Sequence, residues 1–129
     1  MTRICFQLHV KDGHLDAYRA SHAAVWPEML EALDSTGWRN YSIFTRDDGL
    51  VIGFFETDDL DASLRGMALT EVNARWQAAM ADHFEESALP ADQAFEYLPE
   101  AFNLHDQLRV ARAAPTAVGL GTVVNRSIT

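Results

Sequence analysis

The stretch RNYSIFTRDDGLVIGFFE, residues 39–56, decides the fold. Its two runs, 39–46 and 50–56, are rich in β-branched and aromatic residues, and Asp47-Asp48-Gly49 between them is a strong signal for a hairpin turn. We therefore predict two antiparallel strands. The second run is apolar at nearly every position, which is typical of a strand covered on both faces.

Residues 3–11, upstream of the hairpin, predict another strand because apolar and more polar residues alternate there. The apolar face carries Ile4, Phe6, Leu8 and Val10. Asp12-Gly13 ends this strand, and Asp12 is the predicted cap of a helix that begins near His14.

A proline interrupts this first helical region. The apolar side of the region carries Leu15, Tyr18, His22 and Val25. Pro27 lacks an amide hydrogen and would clash with the carbonyl four residues before it, so the helix must kink or restart there. The apolar side then continues through Met29, Leu30 and Leu33 to a stop at Gly37.

The chain downstream of the hairpin predicts a second helical region and a closing strand. Thr57-Asp58-Asp59 supplies a cap, a break falls near 66–69, and the apolar stripe of the next helix holds Val72, Trp76 and Met80. After a loop with Pro90, the segment FEYLPEAFNL returns as a strand that Pro99 makes short or peripheral. The order of elements predicts an α+β, ferredoxin-like split βαβ domain, a four-stranded antiparallel sheet with both helices on one face.

Helices on one face leave the other face of the sheet open, so we expect a homodimer whose sheets face one another. Such a pairing would leave a cavity lined by outward strand residues and suited to a small ligand. The domain is predicted to occupy residues 1–104. Residues 105–129 are expected to form a loose C-terminal extension, in which 118–124 could add an edge strand to a partner.

Composition excludes several classes of partner. Nineteen acidic against ten basic residues give a net charge of −9, and no Lys/Arg cluster suits a nucleic-acid backbone or an anionic membrane. The single cysteine, Cys5, cannot form an intrachain disulfide, which favours a reducing compartment. Because the sequence shows no signal peptide and no apolar run of membrane-spanning length, we predict a cytoplasmic protein.

His22 is the candidate for acid–base chemistry. It shares the inward side of the first helix with Tyr18 one turn before and Trp26 one turn after, and imidazole exchanges protons near neutral pH. A core histidine bound to a carbonyl is the other interpretation. The remaining histidines, His9, His14, His83 and His105, fit no metal-ligand spacing and are expected at the surface or at strand edges, so no metal or cofactor is predicted.

Four segments together resemble the L-rhamnose mutarotase family over residues 1–104. They are Tyr18-x-x-x-His22-x-x-x-Trp26-Pro27-Glu28, Asn40-Tyr41-x-Ile43-Phe44, Arg75-Trp76 and the closing PEAFNL. The resemblance implies a dimeric α/β-barrel of ferredoxin-like subunits, without a cofactor, that interconverts the α and β anomers of a free sugar.

The resemblance also implies roles for individual residues. His22 matches the proton donor of the family, and Tyr18, Tyr41 and Trp76 match positions that contact the sugar. Trp26-Pro27 matches the kink that shapes the pocket, so Trp26 is a further candidate for substrate binding. Gln77 stands where the family often has a second tryptophan, and we expect it to influence which sugar is preferred.

The predicted reaction is the opening and closing of a hemiacetal ring in L-rhamnose or a related 6-deoxy sugar such as L-fucose. We hypothesise that His22 donates a proton to the ring oxygen. Tyr18 or Tyr41 would hold the hydroxyl groups of the sugar or relay protons through them, and Trp76 would support an apolar face of the sugar. Two alternatives stay open. The same barrel fold hosts cofactor-free monooxygenases and haem-degrading enzymes, and the chain could instead be a non-catalytic small-molecule-binding module.

Overall fold

Four antiparallel strands form a single sheet in the order β2-β3-β1-β4 in this structure, a computed structural model that describes residues 1–85 and 95–113. The strands are β1 (Thr2–His9), β2 (Arg39–Thr45), β3 (Leu50–Thr57) and β4 (Glu96–Tyr97). The helices are α1 (Leu15–Ala23), α2 (Pro27–Ser35), α3 (Leu60–Ala68) and α4 (Glu71–Met80), followed by a 3-10 turn at Ala81–His83, and α5 (Leu104–Ala113). The α+β, ferredoxin-like fold class is confirmed.

The predicted hairpin is present, and its turn depends on glycine. Gly49 has φ +95°, a conformation that side chains other than glycine rarely adopt. The amide of Leu50 donates to the Asp48 carboxylate at 3.2 Å, and the amide of Val10 donates to the Gly49 carbonyl at 2.9 Å. The turn is thus fixed both within the hairpin and against the end of β1.

The helix-facing side of the sheet carries the core. Phe6, Val51 and Phe55 are almost completely buried there, and the stripe Val72, Trp76 and Met80 of α4 is buried as predicted. Phe6 lies opposite Gly53, where an added Cβ would fall 2.1 Å from the Cζ atom of Phe6. Glycine at this position therefore lets the Phe6 ring lie directly across β3.

Backbone chemistry explains where the helices begin. Trp26 precedes α2, and Pro27 occupies its first turn, so the helix restarts at the proline as predicted. The Asp59 carboxylate accepts the Ala62 amide at 3.1 Å and caps α3. The helix α1 begins next to His14 as predicted, but the predicted cap by Asp12 was wrong, because His14 precedes the helix and no side chain caps it.

The closing strand is short and peripheral, as predicted. Of the described residues 95–113, Glu96 and Tyr97 pair with β1 at the edge of the sheet. The structure divides into two units, Met1–Pro99 and Glu100–Thr129. The predicted domain over residues 1–104 stays a prediction.

The second unit contains a helix where a loose extension was expected. Residues 104–113 form α5, and the Asp106 amide donates to the Asn103 side chain at 3.0 Å. This asparagine satisfies a backbone donor in the first turn of the helix. The expected edge strand at 118–124 and the loop around Pro90 lie outside the described residues.

The other side of the sheet carries apolar residues that take no part in the core clusters. Cys5 pairs with Phe54, and Gln7 pairs with Ile52, across β1 and β3. Phe44 on the neighbouring strand is 64% exposed. We call this surface, formed by Cys5, Phe44, Ile52 and Phe54, the outer face.

Candidate active site

A cavity of about 730 Å³ lies between the helix-facing side of the sheet and the helices. Its strand wall includes Ile43 and Thr45, which pair with the core residues Gly53 and Val51. The expected cavity between the facing sheets of a dimer is a separate one and stays a prediction. The space described here is partly open and is lined by residues of one chain.

The cavity brings together five of the six predicted site residues. Its lining includes Tyr18, His22, Tyr41, Trp76 and Gln77. They come from α1, β2 and α4, three elements that are distant in the sequence but adjacent around the cavity. The size falls within the range of about 300 to 1,000 Å³ that small-molecule sites occupy.

Hydrogen bonds orient the imidazole of His22. Its Nδ1 lies 2.9 Å from the backbone carbonyl oxygen of Tyr18 and 3.1 Å from the hydroxyl of Ser21. A carbonyl can only accept, so we assign the proton of the neutral ring to Nδ1. Nε2, which has no partner among the described residues, then carries the lone pair.

Burial keeps this imidazole neutral. Desolvation lowers the pKa of His22 below its usual value of 6.5, the Tyr18 carbonyl acts in the opposite direction, and the nearby charge of His83 lowers it further. The neutral form therefore predominates at pH 7. A neutral ring with a free Nε2 is ready to accept a proton.

Two aromatic rings flank His22. The Tyr18 ring lies 4.1 Å from it at an angle of 31°, and the Trp76 ring lies 5.3 Å away, edge-on at 83°. Burial raises the pKa of Tyr18 to about 12, so its hydroxyl remains protonated at neutral pH. Tyr18 can donate a hydrogen bond to a ligand but is not a base.

Trp26 is the predicted site residue that does not line the cavity. It packs edge-on against Trp76, with 5.0 Å between ring centroids, and is 36% exposed. The guanidinium of Arg75 lies 6.0 Å from the Trp26 ring and bonds to Glu28 at 3.3 Å. In this position Trp26 supports the wall from behind, through Trp76.

Asn73 is a lining residue that was not predicted from the sequence. It is 5% exposed, and its side-chain oxygen accepts from the Gln77 amide at 3.2 Å. The signal in the sequence was its spacing, because Asn73 precedes Trp76 and Gln77 by three and four residues on one helix face. Arg19, Arg65, Phe95 and Tyr97 also line the cavity and were not predicted.

Two of the histidines expected at the surface instead contact one another. The Nδ1 atoms of His14 and His83 are 3.2 Å apart in a partly buried pair, while His9 is exposed as predicted. Across residues 1–85 and 95–113, no three His, Cys, Asp or Glu side chains form a group that could hold a metal ion. None of the helices in that part of the chain is long and apolar enough to span a membrane.

Comparison with known proteins gives a consistent result. The sequence model of the L-rhamnose mutarotase family matches residues 3–104. An L-rhamnose mutarotase from Burkholderia cenocepacia is 38% identical over 64% of this chain and 79% of its own length. One from Bacillus subtilis is 37% identical over 63% of this chain and 78% of its length.

A solved structure from the same family has a similar fold. The crystal structure of an L-rhamnose mutarotase from Formosa agariphila superposes with a TM-score of 0.65, over 81% of this chain and 99% of that one, at 24% identity. This likeness concerns the fold. The family match covers most of the chain, including every residue of the cavity described above. The chain therefore belongs to the L-rhamnose mutarotase family.

Proposed function

We propose that this protein interconverts the α and β anomers of L-rhamnose or a closely related 6-deoxy sugar. The observation that carries the proposal is the His22 imidazole, held by the Tyr18 carbonyl in the wall of a cavity of monosaccharide-binding size. Proteins named L-rhamnose mutarotase are the relatives reported above. No feature of the described site favours an oxygenase or a haem-degrading enzyme.

His22 can serve both proton transfers that the reaction needs. Nε2 accepts the proton of the anomeric hydroxyl O1–H as the bond between C1 and the ring oxygen breaks, and O1 becomes the carbonyl oxygen of the open-chain aldehyde. The imidazolium then returns its proton to the former ring oxygen. No net proton is gained or lost, and general acid–base catalysis of this kind contributes about 10²- to 10⁴-fold.

One nitrogen can reach both oxygens because O1 and the ring oxygen are bonded to the same carbon atom. Rotation about the C1–C2 bond then turns the other face of the aldehyde toward the hydroxyl, and the same steps in reverse close the ring as the opposite anomer. The donor role predicted for His22 is retained, but in this scheme the neutral ring first acts as an acceptor.

The other lining residues bind the sugar. The Trp76 ring offers an apolar surface to the C–H groups of a sugar, and the hydroxyls of Tyr18 and Tyr41 can donate hydrogen bonds to its oxygens. The amide of Gln77 adds a polar group beside Trp76. A few directed polar groups in a largely apolar cavity are typical of small-molecule sites.

Saturation-transfer NMR on equilibrated L-rhamnose tests the function directly. The wild-type protein should accelerate exchange between the two anomeric proton signals above the spontaneous rate. Parallel measurements on L-fucose and L-mannose would rank the sugars. Tight binding of a sugar without faster exchange would instead support a binding module.

The proton acceptor role predicts a pH profile. Because burial lowers the pKa of His22, kcat/KM should be constant above pH 6.5 and should fall, by about tenfold per pH unit at the limit, once the pH drops below that pKa. The measurement is anomer exchange from pH 4.5 to 8 after subtraction of the enzyme-free rate. A rate that rises as the pH falls would show that the resting donor is the imidazolium.

We also propose that the protein is a homodimer in the cytoplasm. The outer face, which holds Phe44, Ile52 and Phe54, is apolar and contributes nothing to the core clusters of this chain. A second copy would bury it through an isologous, sheet-to-sheet contact. The single Cys5, free in this structure, suits a reducing compartment.

Phe44→Glu should convert the proposed dimer to a monomer, because it would bury an unpaired carboxylate in the contact. Sedimentation equilibrium would measure the mass of the wild type and of the variant. Leu69→Glu is the matched control, since Leu69 is 88% exposed in the turn between α3 and α4. A monomeric wild type would contradict the proposal.

A further inference from the structure

The side chains of β2 do not follow the simple alternation of a strand. Trp38, just before β2, stacks on the core residue Phe55 with 4.1 Å between centroids, so it faces the helices. Three residues later Tyr41 also faces the helices and lines the cavity. In a regular strand, residues an odd number of positions apart point to opposite faces. One extra residue must therefore lie between them.

The pairing between β2 and β3 locates that extra residue. Arg39 pairs with Glu56 and Ser42 pairs with Phe54, so Asn40 and Tyr41 together lie opposite the single residue Phe55. This is the arrangement of a β-bulge, which re-aims the side chains that follow it. Downstream of the bulge, Ile43 and Thr45 also face the cavity.

Asn40 has the backbone conformation that makes the bulge possible. Its φ is +53°, and among the described residues no other residue apart from glycine has a positive φ. Asparagine adopts this left-handed conformation more readily than most residues, whereas a β-branched residue is strongly disfavoured there. The Asn40 side chain also donates to the Glu56 carboxylate at 3.2 Å across the hairpin.

From this geometry we infer that Asn40 is a positioning residue of the site: its left-handed backbone turns Tyr41 toward the bound sugar. Tyr41 is then held by three aromatic neighbours, Trp38, Phe55 and Phe6, at centroid distances of 5.1, 5.6 and 6.2 Å. Without the bulge, Tyr41 would point to the outer face, and the strand wall of the cavity would lose the Tyr41 hydroxyl.

The backbone conformation of Asn40, and not its amide side chain, is what positions Tyr41 in this scheme. Two substitutions at Asn40 should therefore have different effects. Asn40→Gly, which adopts positive φ freely, should stay within about twofold of the wild type. Asn40→Val, which does not, should raise KM by about tenfold with a smaller change in kcat, as expected for the loss of one good hydrogen bond to the sugar. If Asn40→Val folds poorly, Asn40→Ala is the milder substitution to measure in its place.

A double-mutant cycle with Tyr41→Phe tests whether the effect passes through Tyr41. If Asn40 acts by aiming that hydroxyl, Tyr41→Phe should raise KM in the wild type but add little in the Asn40→Val or Asn40→Ala background. Full additivity would overturn the inference, as would a glycine variant as impaired as the valine variant.

The KM measurements rest on the proposed function, so a structural measurement is needed to test the positioning role of Asn40 by itself. Contacts between the Tyr41 and Phe55 rings, observed by NMR or crystallography, should persist in Asn40→Gly and disappear in Asn40→Val or Asn40→Ala. Persistence in all variants would overturn the positioning role even for a fully active enzyme. An inactive wild type in which the contacts behave as expected would refute only the proposed function.

Discussion

Replacing His22 by alanine should lower kcat/KM for anomer exchange by about 10²- to 10⁴-fold, the contribution of a positioned proton-transfer group. The loss should appear mainly in kcat, because the imidazole exchanges a proton during the reaction while the remaining cavity residues still bind the sugar. Saturation-transfer NMR gives the exchange rate, and a titration of the sugar separates kcat from KM.

His9→Ala is the matched control for this experiment. His9 is exposed at the end of β1 and is not among the cavity residues, so its removal should leave the exchange rate unchanged. Far-ultraviolet circular dichroism should show the same fold for both variants. If His22→Ala retained the wild-type rate, the proton-transfer role of His22 would be wrong.

Trp76→Ala should destabilise the protein by about 3 to 5 kcal/mol, the usual cost of removing a buried aromatic side chain. Trp76 is 6% exposed and contacts both His22 and Trp26 through its ring. Its loss would leave a void in the wall and free the imidazole to move. Urea denaturation measures the change in the free energy of unfolding.

Trp26→Ala is a control of the same residue type in the same cluster. Because Trp26 is 36% exposed, its replacement should cost clearly less stability than that of Trp76. KM should rise more for Trp76→Ala, since Trp76 lines the cavity and Trp26 does not. Equal effects of the two substitutions would contradict the assignment of Trp26 to a supporting position.

Local chemistry explains why much of the fold could be predicted. The alternation in β1, the turn at Gly49 and the restart at Pro27 depend on residues close in the sequence, and all three predictions were confirmed. The helix α5 was missed because residues 105–129 were interpreted together as one loose tail rich in Ala, Gly and Thr. Its asparagine cap, Asn103, belonged to a segment interpreted as a strand.

The location of the cavity could not be predicted, because both faces of β3 are apolar and pattern alone does not show which face leaves a space. The motifs pointed to Tyr18, His22 and Trp76, and all three line the cavity. The contact between His14 and His83 depends on the distance between separate elements. Such contacts carry no signature within a single stretch of sequence.

The residues that line the cavity and those of the outer face belong to opposite sides of one sheet. Substitutions on the outer face should therefore leave the groups around His22 in place, and substitutions around His22 should leave the outer face unchanged. Solubility and substrate choice can thus be engineered as two independent problems.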